Sequence, residues 1–160
     1  MTKEPSLTKE PSLCKELSPW HAALLSRLQK FAKTQYGVPF NVYFAENIEG
    51  EFLGNKVPIP GVTIPQKKEI WLKIDQPLDD AGLLLHYDLE IYKELTKLKL
   101  IKGEQYFFAL LHELGHICHE NKDPDPVREE LFVNRWAVRE FIKNRERITN
   151  LIGELPDVVR

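Results

Sequence analysis

The sequence has no large excess of either charge. Its 160 residues carry 22 Lys or Arg against 24 Asp or Glu, a net charge of −2 with histidine neutral. That balance removes the main reason to expect nucleic acid or an anionic membrane as a direct partner, because both demand a basic surface. Cysteine is scarce: Cys14 and Cys118 are too few to build a disulfide fold and suit a reducing compartment. No stretch approaches the roughly 18–20 uninterrupted apolar residues of a membrane-spanning helix. The first residues lack the basic start and apolar run of a signal peptide. A soluble, cytoplasmic protein is the resulting expectation. Composition is otherwise ordinary, with 42% hydrophobic and 29% charged residues, as in a globular chain.

Residues 2–7 read TKEPSL, residues 8–13 repeat it, and residues 14–19 read CKELSP, a decayed third copy. Pro5 and Pro11 forbid a long helix there, so residues 1–17 are expected to form a flexible, disordered tail. Residues 18–160 then form a single domain. Ser18-Pro19 resembles a helix start, a capping hydroxyl followed by proline at the first helical position. Leu24, Leu25, Leu28, Phe31 and Ala32 follow at helical spacing, and Gly37 closes the segment. Val38, Phe40, Val42 and Phe44 alternate with other residues as in a half-buried strand. Glycines and prolines crowd residues 46–65 and mark turns and short strands; 61–65 and 69–74 are the best strand candidates. Asp79 and Asp80 are placed to open a helical region, with Leu89, Tyr92, Leu95 and Leu98 as a partial stripe. From Glu104 the helical pattern is strong, and it should stop near Asn121 because residues 123–126 read DPDP. Asp125-Pro126 starts a last long helix. The order is helix, strands, then mostly helices, which is α+β with segregated elements rather than alternating βαβ units.

Residues 112–116 read HELGH, a His-Glu-x-x-His pattern inside the strongest helix. Positions i and i+4 stand one above the other on a helix face, so His112 and His116 can grip one zinc ion. Glu113 is turned about 100° from His112 and can reach a water at the metal's open position without being a ligand, the geometry of a general base. With five histidines in the chain, composition alone yields such a pattern about 0.02 times, so the motif is informative without being decisive. The preceding YFFALL adds weight, since it makes the helix a buried one.

A third ligand is then required. The extended HExxHxxGxxH pattern needs glycine at 119 and histidine at 122, and the chain has His119 and Lys122. A glutamate from the following helix is the remaining option. Glu130, Asn134, Ala137 and Phe141 fall along one edge of that helix's apolar face, so Glu130 looks inward. Glu129 points about 100° away and is expected in solvent. Asn134, one turn on, is placed to accept the second N–H of a ligand histidine. His119 is a weaker candidate for the same outer role, with a helix C-terminal position as the plainer reading. Cys118 reads as a small buried hydrophobe. His21 and His86 are isolated.

The segments YFFALLHELGHICHE and EELFVNRWA resemble the ImmA/IrrE metallo-endopeptidase family, over about residues 106–141. Members have a Phe-rich helix ending in HELGH, a short loop, and a helix with Glu-x-x-Ala-Asn/Asp-x-Phe-Ala-like spacing. Here Val133 stands for the usual alanine and Trp136 for the usual phenylalanine. The resemblance implies His112, His116 and Glu130 as metal ligands and Glu113 as the catalytic base. It implies a zincin-like minimal metalloprotease domain, a small mostly antiparallel sheet packed on helices that include the HExxH helix. It also implies a zinc endopeptidase whose substrate is a helix-turn-helix repressor supplied in trans, as in control of phage, mobile elements or stress responses. The zinc domain of ArdC-type antirestriction proteins is similar in the same segment and gives a neighbouring reading. A zinc-stabilised binding module that cleaves nothing is the third.

Overall fold

The computed structural model describes residues 6–7, 10–52, 54–58, 60–75 and 89–156. The helix start expected at Asp79 and Asp80, and His86, lie outside them. The elements in chain order are β1 (Ser6–Leu7), α1 (Pro19–Tyr36), β2 (Asn41–Ala45), β3 (Glu49–Phe52), β4 (Asn55–Pro58), β5 (Gly61–Ile64), β6 (Glu69–Lys73), α2 (Leu89–Leu98), α3 (Glu104–Cys118) and α4 (Pro126–Gly153). The fold is α+β.

Local chemistry sets the helix ends. At α1 the Ser18 hydroxyl accepts the His21 N–H at 3.1 Å, and Gly37 at φ 66° sends its N–H back to the Ala32 and Lys33 carbonyls. At α4 the Asp125 carboxylate accepts the Val127 N–H at 2.9 Å, with Pro126 next in line. These caps supply partners for groups that a helix end leaves without one. Gly103 precedes α3 at φ 105°, a conformation that favours glycine, and a Cβ there would lie 3.2 Å from Ile152. One residue on, Glu104 is fully buried and takes two bonds from Arg145 of α4, at 2.9 and 3.0 Å. The start of α3 is thereby tied to the far half of α4.

Helix α3 is buried almost all round: Tyr106, Phe107, Phe108, Ala109, Leu110, Leu111 and Leu114 all lie in the core. A helix apolar on every side belongs at a domain's centre, and each large side chain so buried is worth about 1.5–3 kcal/mol. Around it stand α1, α4 and a sheet of order β2-β6-β5. Strand alternation divides that sheet between two apolar clusters. Val42, Phe44, Ile70 and Leu72 join the helices. Ala45, Val62 and Trp71 face the other way with Ile48. By the same alternation Gly61 and Thr63 point with Leu72 toward α3.

The expected sheet needs correcting. It is mixed rather than mostly antiparallel: β5 runs antiparallel to β6, but β2 pairs with β6 in parallel, Asn41 opposite Glu69 through Ala45 opposite Lys73. A parallel pair needs a crossover of about a dozen residues or more, and the chain between β2 and β6 supplies it while forming β3 and β4. Those two strands make a second, antiparallel sheet with β1.

The reading of residues 1–17 as a tail also narrows. Ser6 and Leu7 pair with Glu51 and Gly50. Further on, Cys14 donates its N–H to Phe44, and Glu46 donates to Ser12, both at 3.0 Å, with Leu13 bridged to Ala45. The open edge of β2 offers unpaired backbone groups, and the segment before α1 passes alongside. Among the described residues no helix is long and apolar enough to cross a membrane.

Candidate metal centre

His112 and His116 stack one turn apart on α3, their rings 5.0 Å between centroids and inclined at 75°. The N-terminal part of α4 delivers Glu130 across from them. One carboxylate oxygen lies 2.9 Å from Nε2 of His112, the other 3.2 Å from Nε2 of His116. One ligand atom from each of the three residues falls within 4.8 Å of the others. Glu130 and His116 are buried, while the His112 side chain keeps 15% of its surface exposed. The group therefore opens to solvent beside His112.

The donor set fits a divalent cation. Glu130 is fully buried, and neither of its oxygens makes a hydrogen bond of ordinary geometry among the described residues. A buried carboxylate so placed is costly unless a charge answers it. Burial pushes its carboxyl upward; the His112 and His116 imidazoles beside it hold it down, at about 2. It is thus an anion facing two imidazole nitrogens. Bonds of about 2.0–2.1 Å to a tetrahedral ion place ligand atoms about 3.3 Å apart, close to the two separations seen here. Two histidines and one carboxylate with an open side make a donor set that could hold a metal ion.

Glu113 lies on a different side of α3 and is 5% exposed. The Thr63 hydroxyl on β5 donates to its Oε1 at 2.9 Å. Close approach of β5 depends on Gly61, where a Cβ would stand 3.4 Å from Cγ of Glu113 and 3.0 Å from Leu72. Gly115, inside the motif, does the same on the α4 side. A Cβ there would meet Val133 at 2.9 Å and Trp136 at 3.1 Å. Val133 and Trp136 are thus seated directly against this glycine.

Glu129 corrects an expectation. It is fully buried rather than in solvent. The loop after α3 folds back over it: the Asp123 N–H donates to Oε1 at 2.8 Å, and His119 Nδ1 lies 3.0 Å from both oxygens. On its other side His116 Nδ1 is 3.7 Å away. Burial pushes this carboxyl up, but the nearby His116 ring and the bonds from the Asp123 amide and His119 bring it down to about 2. His119 is the C-cap of α3, stacked on Phe132 with 3.8 Å between ring centroids. Asn134 is buried as expected, and its Nδ2 has no hydrogen-bond partner among the described residues. Cys118 is exposed, contrary to its reading as a buried hydrophobe, because it falls at the outer end of α3. His21 sits apart among Trp20, Phe44 and Tyr106.

Sequence spacing thus pointed to His112, Glu113, His116 and Glu130, and missed Thr63 and Glu129. Thr63 is 50 positions from its partner, beyond any local pattern. Glu129 gave a weak signal, an acid in a first helical turn, which also suits a plain dipole contact. No family model, curated protein or solved structure matches this chain.

Proposed function

We propose that the chain is a zinc-dependent endopeptidase of zincin-like architecture. The observation that carries this reading is the convergence of His112, His116 and Glu130, with the fully buried Glu130 carboxylate facing the two imidazole nitrogens at 2.9 and 3.2 Å. Those three residues would hold the ion, which supplies a Lewis acid for the scissile carbonyl and lowers the pKa of its water toward about 7. Glu113 takes the proton of the attacking water and passes it to the leaving amine. Thr63, by donating to Oε1, restrains the carboxylate's rotation beside the site. The resemblance at HELGH supports a helix-turn-helix repressor as substrate, met through protein contacts, with no direct nucleic-acid or membrane partner. The cytoplasm suits the two free thiols.

One observation favours a second reading, a zinc-stabilised binding module, with the antirestriction type as a variant. Glu113 is only 5% exposed and already bonded to Thr63. The same experiment separates the two. Full-length protein is incubated with a helix-turn-helix repressor, with and without chelator, beside Glu113→Gln. The endopeptidase reading expects chelator-sensitive cleavage and a Gln variant that keeps its zinc and loses cleavage. Zinc binding with no cleavage by any form favours the module. Equal cleavage by the Gln variant removes Glu113 as the base.

A further inference from the structure

Behind the ligand set lies a second polar layer that the reaction as described does not use. Its centre is Glu129, fully buried although its neighbour Glu130 already serves the centre. Three groups converge on it: the Asp123 N–H at 2.8 Å, His119 Nδ1 at 3.0 Å, and His116 Nδ1 at 3.7 Å. His116 therefore stands between two carboxylates, Glu130 at Nε2 and Glu129 toward Nδ1. The 3.7 Å separation exceeds a formed hydrogen bond but sets the carboxylate directly behind the ring nitrogen in a buried setting. The outer end of the layer is also fixed, because His119 is stacked on Phe132.

We infer that Glu129 is a positioning residue for the metal centre: it steers the His116 ring from behind, and His119 with the Asp123 amide holds Glu129 in place. Carboxylates in this position orient a ligand imidazole and make it a better donor, and their loss typically weakens metal binding about 10–100-fold. The inference gives Glu129 the supporting part first expected of Asn134. It rests on the metal-centre reading and adds an order of importance: removing Glu129 matters more than removing His119.

The test titrates zinc into the full-length protein against a chromophoric chelator, for wild type, Glu129→Gln and His119→Gln. In zinc-loaded protein, the Nδ1–H signals of His112 and His116 are followed by proton–nitrogen NMR. Expected are zinc affinity about 10–100-fold weaker in Glu129→Gln, a smaller loss in His119→Gln, and a shifted His116 signal beside an unmoved His112 signal. A purely structural part would lower the thermal transition without singling out His116. Wild-type affinity in a folded Glu129→Gln overturns the inference. If that variant does not fold, His119→Gln decides: unchanged affinity with an unmoved His116 signal overturns it equally. A wild type that binds no zinc overturns the metal centre itself, a different failure.

Discussion

Two neighbouring glutamates, Glu129 and Glu130, are both fully buried and both held at about 2, yet they face different partners. Glu130 looks at two ligand nitrogens; Glu129 is closed in by His119 and a backbone amide. The sign of the Glu129 shift gives a pH prediction. Its folded value lies below the ordinary 4.5, so its stabilising contribution is present above about pH 4.5 and lost as pH falls through about 2. In chelator, Glu129→Gln should melt below wild type at neutral pH, with the gap closing as pH drops from about 4.5 toward 2. A gap independent of pH would contradict this. Thr63 makes a second prediction. A hydrogen bond to a charged group is worth about 1.5–3 kcal/mol, so Thr63→Val should lower kcat about tenfold or more while zinc content and KM hold. An unchanged kcat would show that Thr63 does not orient Glu113.

At the scale of elements, the centre depends on how closely α3 and α4 approach, and Gly115 sets that distance through Val133 and Trp136. Gly115→Ala gains roughly 1 kcal/mol in helix propensity but overpacks the contact at a typical cost of about 1–3 kcal/mol. The expected outcome is a lower Tm together with weaker zinc binding, since Glu130 rides on the displaced helix. Val133→Ala in the same chain should restore much of both, a coupling that a double-mutant cycle measures. Two additive losses would show that the glycine is not needed for this approach. Elements defined by local chemistry were legible in the sequence. Ser18, Gly37 and Asp125 announced the ends of α1 and α4, and the strands at 61–64 and 69–73 showed as short apolar runs. The pairing of β2 with β6 was not legible, because a parallel ladder is chosen by the path of the intervening chain. For the same reason the backbone bonds of Ser12 and Cys14 along β2 left no mark in a Pro-containing repeat. Of the site, the α3 residues and Glu130 could be read from helical spacing. Thr63 and the burial of Glu129 arise from tertiary closure.

For the whole molecule, the centre joins the C-terminal half of α3 to the N-terminal part of α4, while the Glu104–Arg145 pair joins the start of α3 to the C-terminal half of α4. Zinc bound to the folded state alone stabilises it by mass action, about 2.7 kcal/mol at a free concentration 100 times Kd. Tm should therefore rise with added zinc and fall with chelator, and Glu130→Ala should lose this dependence. Everything proposed about catalysis rests on whether His112, His116 and Glu130 bind zinc together. The most direct measurement is the zinc content of purified full-length protein by mass spectrometry, for wild type, His112→Ala and Glu130→Ala. Three protein ligands and an open position lead to about one zinc per chain in wild type, and to near none in either variant. No zinc in the wild type, or full zinc in Glu130→Ala, would contradict this.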